Sequence, residues 1–203
     1  MRELVAHTAA QFPSVRVICQ PGNHGRDKVR HPGRATARKW DGHETELYLG
    51  LREMSSALAN VTWQIDFRAA SIVNVHGSTV GATHGDTEIK LGNPDTMSTR
   101  NAQALDRINS TLVYGRRVDV WLLGHYHMPR WQPRSPGALW NGALIPPNGY
   151  ARGEGYVGEP QGQWLWESVE GHPVGDLRFV RVGPEQDNDA SLGSMIHPFR
   201  FDD

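Results

Sequence analysis

The chain has 203 residues, with 21 Lys and Arg against 22 Asp and Glu and a formal net charge of −1. That length predicts one domain over residues 1–183 with a polar tail at 184–203, and the balanced charge excludes a globally basic nucleic-acid binder while leaving room for a local basic patch. Cys19 is the one cysteine, so neither a disulfide framework nor a cysteine-built zinc site is available. The longest apolar run, Val118 to Leu123, is broken by Asp119 and is too short to span a bilayer. Arg2, Glu3 and His7 stand where a signal peptide would carry its apolar core, and a reducing cytoplasm is the simplest home.

In chain order, Arg2 to Phe12 reads as a helix ending before Pro13, with Leu4, Val5 and Ala9 as its apolar face. Val15 to Cys19 is a compact β-branched strand that runs straight into Pro21-Gly22-Asn23-His24-Gly25. A strand ending in a glycine-rich loop is where α/β proteins place their chemistry. Residues 26–39 form a basic loop, with Arg26, Lys28, Arg30, Arg34, Arg38 and Lys39 against Asp27. Glu44 to Ala59 has helical spacing through Leu47, Leu51, Met54 and Leu58, and Asn60 would end it. Val61 to Phe67 alternates as a strand. Ser71 to Val75, His76-Gly77 and Ser78 to Thr83 read as a β-hairpin that leads into His84-Gly85-Asp86. His76 in that turn is read as exposed and structural. Lys90 to Met97 reads as a loop, and Ser98 to Tyr114 as a helix. Val118 to Leu123 is a buried strand ending in Gly124-His125-Tyr126-His127. Further strands are expected near Ala138 to Ile145, Gln163 to Glu167 and Leu177 to Val182.

Three segments therefore share one design, an apolar strand followed by a tight turn bearing His or Asn: Pro21-Gly22-Asn23-His24, Thr83-His84-Gly85-Asp86 and Gly124-His125-Tyr126-His127. Glycines beside the polar residues let the backbone turn sharply and let a metal or phosphate come close. In an extended Gly-His-x-His segment, alternate histidines can reach one centre or two adjacent ones. Neutral imidazole suits Zn, Mn or Fe, and an Asn amide oxygen suits harder ions. Each motif alone is weak, because buried histidines are more often hydrogen-bonded than ligating. Their order and strand contexts together carry the signal.

That order, from Val15 to Tyr150, resembles the calcineurin-like metallophosphoesterase superfamily. The Gly25-Arg26 that follows Asn23-His24, where the superfamily usually has an acidic residue, is similar to phage-type, exonuclease-like members. The resemblance implies an α/β fold, a metallophosphoesterase-type sandwich of mixed sheets flanked by helices. It implies a metal-dependent phosphoesterase acting on a phosphodiester or phosphomonoester, DNA included. Two divalent ions, Mn foremost with Fe or Zn as the others, would share the site. Asn23, His84 and His125 would ligate the second ion and His127 the first, and His24 would act beside the scissile phosphate as general acid or transition-state stabiliser. Two ions clamp the phosphoryl oxygens and share an activated hydroxide, and an imidazole can protonate the leaving alkoxide. Arg26 would hold a substrate phosphate. Asp86 shapes its turn, and Asn141-Gly142 is read as packing and turn chemistry.

The family's earlier motifs, Asp-x-His and Gly-Asp-x-x-Asp, do not occur in this sequence, and no Asp precedes Asn23. The resemblance therefore covers the C-terminal two-thirds of the fold, with the N-terminal strands missing. A longer protein with an earlier start, a second chain supplying the aspartates and a repurposed relative all fit. Val15 to Cys19 would then lie at a sheet edge and invite a partner strand. The rival readings are a catalytically inactive binding module for a protein or nucleic-acid partner, and a DNA binder acting through residues 26–39.

Overall fold

The structure, a computed structural model, describes residues 1–23, 25, 40–86, 115, 117–133, 136–144 and 160–182. The expected loop at 90–97 and helix at 98–114, and the tail beyond 182, lie outside the described residues. The chain divides into two compact units, one of residues 1–71 with 82–90, the other of 72–81 with 91–203.

The first unit opens with helix α1 (Arg2–Gln11). Phe12 leaves the helix at φ −120° and ψ 142°, the extended geometry that a following proline imposes. The Asn60 amide donates to the carbonyls of Ala9 and Phe12 at 2.8 and 2.9 Å, so the residue expected to end the second helix closes the first instead. Of the expected apolar face, Val5 is buried and Leu4 is exposed. Strand β1 (Val15–Ile18) pairs in parallel with β2 (Val61–Gln64), in register from Val15↔Val61 to Ile18↔Gln64. A parallel pair needs a crossover, and α2 (His43–Met54) lies in the connection between the two strands.

Two expectations are corrected in this unit. The second helix stops at Met54 rather than running to Ala59, because the Ser55 hydroxyl turns back onto the carbonyls of Leu51 and Arg52 at 2.8 and 3.1 Å. Its buried side is Thr45, Leu51 and the following Ser55, whereas Leu47 and Met54 are 55% exposed. Strand β2 ends at Gln64 rather than Phe67, since Phe67 takes a left-handed φ of 47° that no strand tolerates.

The hairpin expected at 71–83 forms with the expected bounds, β3 (Ser71–Val75) and β4 (Ser78–Thr83). His76 and Gly77 have φ of 46° and 83°, the two left-handed positions that let a two-residue turn match the strand twist. Asn74 accepts from the Gly77 N–H at 3.2 Å, and His76 is exposed. The five-stranded sheet has the order β3-β4-β5-β7-β6, with β5 (Val120–Leu123), β6 (Arg130–Gln132) and β7 (Gly137–Trp140). Strand β5 runs parallel to β7, and β6 runs antiparallel to it. The mixed α/β class expected from the sequence is therefore the class found. Strand β6, three residues between Pro129 and Pro133, is too short for any alternation to reveal. Strand β7 stops at Trp140, five residues before the expected end.

The second unit closes with the antiparallel pair β8 (Gly162–Trp166) and β9 (Leu177–Arg181), both close to expectation. Its core gathers Val120, Leu139, Val174 and Leu177, with Leu122, Trp131, Trp164 and Trp166 packed around them. Trp121 and Trp140 are fully buried. A Cβ at Gly81 would lie 2.6 Å from the Trp121 ring, so glycine is required where β4 passes under that indole. The Asn141 oxygen accepts from the Trp164 N–H at 3.0 Å, and the Gly142 carbonyl accepts from the Gln163 amide at 2.7 Å. Asn141-Gly142 thus ties the end of β7 to β8.

Candidate functional site

In the first unit, β1 ends and the chain turns through buried Pro21 into Gly22-Asn23. This turn has no ladder to satisfy its backbone, and α2 supplies the partners. The Glu44 carboxylate accepts from the Gly22 N–H at 2.5 Å. The Tyr48 hydroxyl donates to the Gln20 carbonyl at 3.1 Å, and the His43 N–H donates to the Gly25 carbonyl at 3.1 Å. On the other side, the Gln20 amide donates to Ser71 Oγ at 2.7 Å. The flanking glycines leave room for neighbouring side chains. A Cβ at Gly25 would meet Glu44 Cγ at 2.7 Å. A Cβ at Gly22 would sit 3.3 Å from His84 Cε1 and 3.4 Å from Glu44 Oε1.

His84 follows β4, whose last residue, Thr83, donates its hydroxyl to the Ala69 carbonyl at 2.8 Å. Gly85 then takes φ of 96° and turns the chain. His84 Nε2 lies 3.0 Å from Asn23 Oδ1. With its proton on Nε2, the imidazole donates to the amide oxygen. With the proton on Nδ1, two lone pairs face the same space and call for a cation. Metal bonds of about 2.1 Å at a right angle need donors about 3.0 Å apart. The spacing of Asn23 and His84 fits adjacent positions on one divalent ion. Among the described residues, no three His, Cys, Asp or Glu side chains gather as a metal-binding group.

In the second unit, β5 ends at Leu123 and Gly124 follows. The Tyr126 N–H closes back on the Gly124 carbonyl at 2.8 Å, and the Asn141 N–H donates to the Leu123 carbonyl at 2.8 Å. His125 and His127 have φ of 68° and 56°. The segment is the tight turn expected after this strand, with two left-handed residues, so the alternation of an extended Gly-His-x-His does not apply. Each such residue costs about 1–2 kcal/mol when it carries a side chain. The His125 and Tyr126 rings meet edge to face at 4.9 Å. Both histidines are half-buried.

Of the site residues expected from sequence, the structure brings Asn23 and His84 into contact. His125 and His127 share one turn in the second unit. His24 and Arg26, with residues 27–39, lie outside the described residues. Asp86 is half-buried in its turn. Sequence reasoning missed Glu44. The available signal was an acidic residue in the first turn of a helix, one turn before a tyrosine on the same face.

Burial also marks this corner of the fold. It pushes the Cys19 thiol up to about 11. Burial, then the neighbouring charges of Glu44 and Cys19, pushes the Tyr48 phenol up to about 12. Both groups stay protonated and uncharged at neutral pH.

No family model matches the chain, and no curated protein matches it. Among solved structures it is similar to a hypothetical protein from Pyrococcus horikoshii OT3, at 13% identity and a TM-score of 0.46 over 91% of this chain and 69% of that one. It is similar to wild-type Vps29 of Entamoeba histolytica complexed with Zn²⁺, at 13% identity and 0.38 over 82% and 97% of the two chains. It is similar to a predicted phosphoesterase from Streptococcus pneumoniae TIGR4, at 14% and 0.39 over 91% and 84%. No helix among the described residues is long and apolar enough to cross a membrane.

Proposed function

We propose that this chain is a metal-dependent phosphoesterase of the calcineurin-like type, hydrolysing a phosphodiester or phosphomonoester, with DNA among the candidate substrates. The observation that carries the reading is the pairing of Asn23 Oδ1 with His84 Nε2 at 3.0 Å, two donors from separate strand ends at metal-ligand spacing. Asn23, His84, His125 and His127 are the proposed ligands, and Mn, Fe and Zn all accept this donor set. A divalent ion held by these residues would supply a hydroxide at neutral pH and Lewis-acid help to the phosphoryl group. His24 gives its proton to the leaving alkoxide, and Arg26 holds a phosphate oxygen by charge.

The test is hydrolysis of bis-p-nitrophenyl phosphate and p-nitrophenyl phosphate with added Mn, using the whole chain. H84A and H125A should each lower the Mn-dependent rate by about a hundredfold or more, by loss of an ion-holding group. Rates untouched by both variants would remove the assignment. An inactive module that keeps the fold would bind its partner with no Mn-dependent turnover.

A further inference from the structure

We infer that Glu44 is the positioning residue for the Asn23–His84 pair: its carboxylate holds the Gly22 N–H so that the Asn23 amide oxygen rests against the His84 ring. The inference rests on the metal-site reading above and names the part that organises it.

A carboxylate in the first turn of a helix ordinarily serves that helix, by capping its N–H groups or opposing its dipole. Helix α2 has no side-chain cap. The Glu44 oxygen goes instead to the N–H of Gly22, one residue before Asn23. This bond fixes a peptide plane that no strand holds. The rest of α2 braces the same segment. Tyr48, one turn on, takes the Gln20 carbonyl, and the His43 N–H takes the Gly25 carbonyl, so Asn23 is bracketed on both sides. The space a side chain would need at Gly25 is filled by Glu44, whereas a Cβ at Gly22 would meet His84 Cε1 first, at 3.3 Å. Glycine at position 25 thus accommodates the Glu44 side chain.

Geometry rather than charge is the claim, and three variants separate them. Glutamine keeps an oxygen at the same reach without the charge. Aspartate keeps the charge one methylene short. Alanine removes both. The readouts are Mn affinity by titration calorimetry and the His84 imidazole ¹⁵N shifts of the metal-free protein, assigned with H84Q. E44A and E44D should weaken Mn binding by about tenfold to a hundredfold, the usual cost of losing an orienting partner, and should shift the His84 resonances. E44Q should restore both readouts towards the wild-type values. Unchanged affinity and unchanged His84 shifts in E44A and E44D would overturn the inference. So would loss in E44Q with retention in E44D, which would mean that charge matters and reach does not. If E44A fails to fold, E44D and E44Q still decide. If the wild-type chain binds no Mn, the metal reading fails, and the His84 shifts of the metal-free variants still judge the role of Glu44.

Discussion

His125 and His127 sit two residues apart with left-handed φ in a turn where an ordinary sequence would place glycine or asparagine. Keeping imidazoles there costs stability, and strain of this kind gathers where side-chain chemistry is needed. The comparison that isolates the backbone term is glycine against alanine at one position, since both remove the ring. H125G should be more stable than H125A by about 1 kcal/mol, read from urea unfolding midpoints. Equal stabilities would mean that the turn relaxes and carries no strain. Asn23 and His84 present the opposite case. Neither is in a left-handed conformation, and their contact is made by elements that converge rather than by local strain.

At the scale of elements, α2 illustrates how a readable pattern can be rotated. The apolar row Leu47, Leu51, Met54 and Leu58 has helical spacing, but only Leu51 in that row is buried, at 6% exposure. The side that packs is set by Thr45, Leu51 and Ser55, and by the grip of Glu44 and Tyr48 on the β1 turn. L51A should therefore destabilise the protein by about 2–5 kcal/mol, while L47A should stay within about 0.5 kcal/mol of wild type. A large loss at Leu47 in equilibrium unfolding would show that the exposed row is covered by something the described residues do not supply. The hairpin β3–β4 is the contrasting element. Its alternation and its His-Gly turn are local signals, so its bounds were legible to the residue.

For the whole molecule, near-neutral charge means that pH acts on stability through individual buried groups rather than through global repulsion. Cys19 and Tyr48 are such groups. In the unfolded chain their protons leave near 9.0 and 10.0, and in the native state burial holds them to about 11 and about 12. Across that window the unfolded state binds fewer protons, so stability must fall as pH rises. The stabilising contribution is complete below 9.0 and is lost as pH passes through the native values. Urea midpoints should be flat from neutral to mildly alkaline pH and should drop above it, with a smaller drop in C19A. A C19A curve that falls as steeply as wild type would exclude the thiol as a source.

The sequence by itself determined the α/β class, the strand-then-turn motifs, and the limits of α1, the β3–β4 hairpin, β8 and β9, because each follows from alternation, a proline or a turn residue within a few positions. The resemblance named Asn23 and His84 together as ligands of one ion. Only the tertiary structure decided that they touch, because the two lie 61 residues apart and their contact depends on where β1 and β4 end in space. The same is true of Glu44, whose partner is a backbone N–H 22 residues away, a group that no side-chain pattern can announce. It is true of the backbone at His125 and His127, whose left-handed conformation their residue types do not announce. Short-range signals are written in the order of residues. Long-range contacts are settled by the burial and hydrogen-bond satisfaction of the folded chain as a whole.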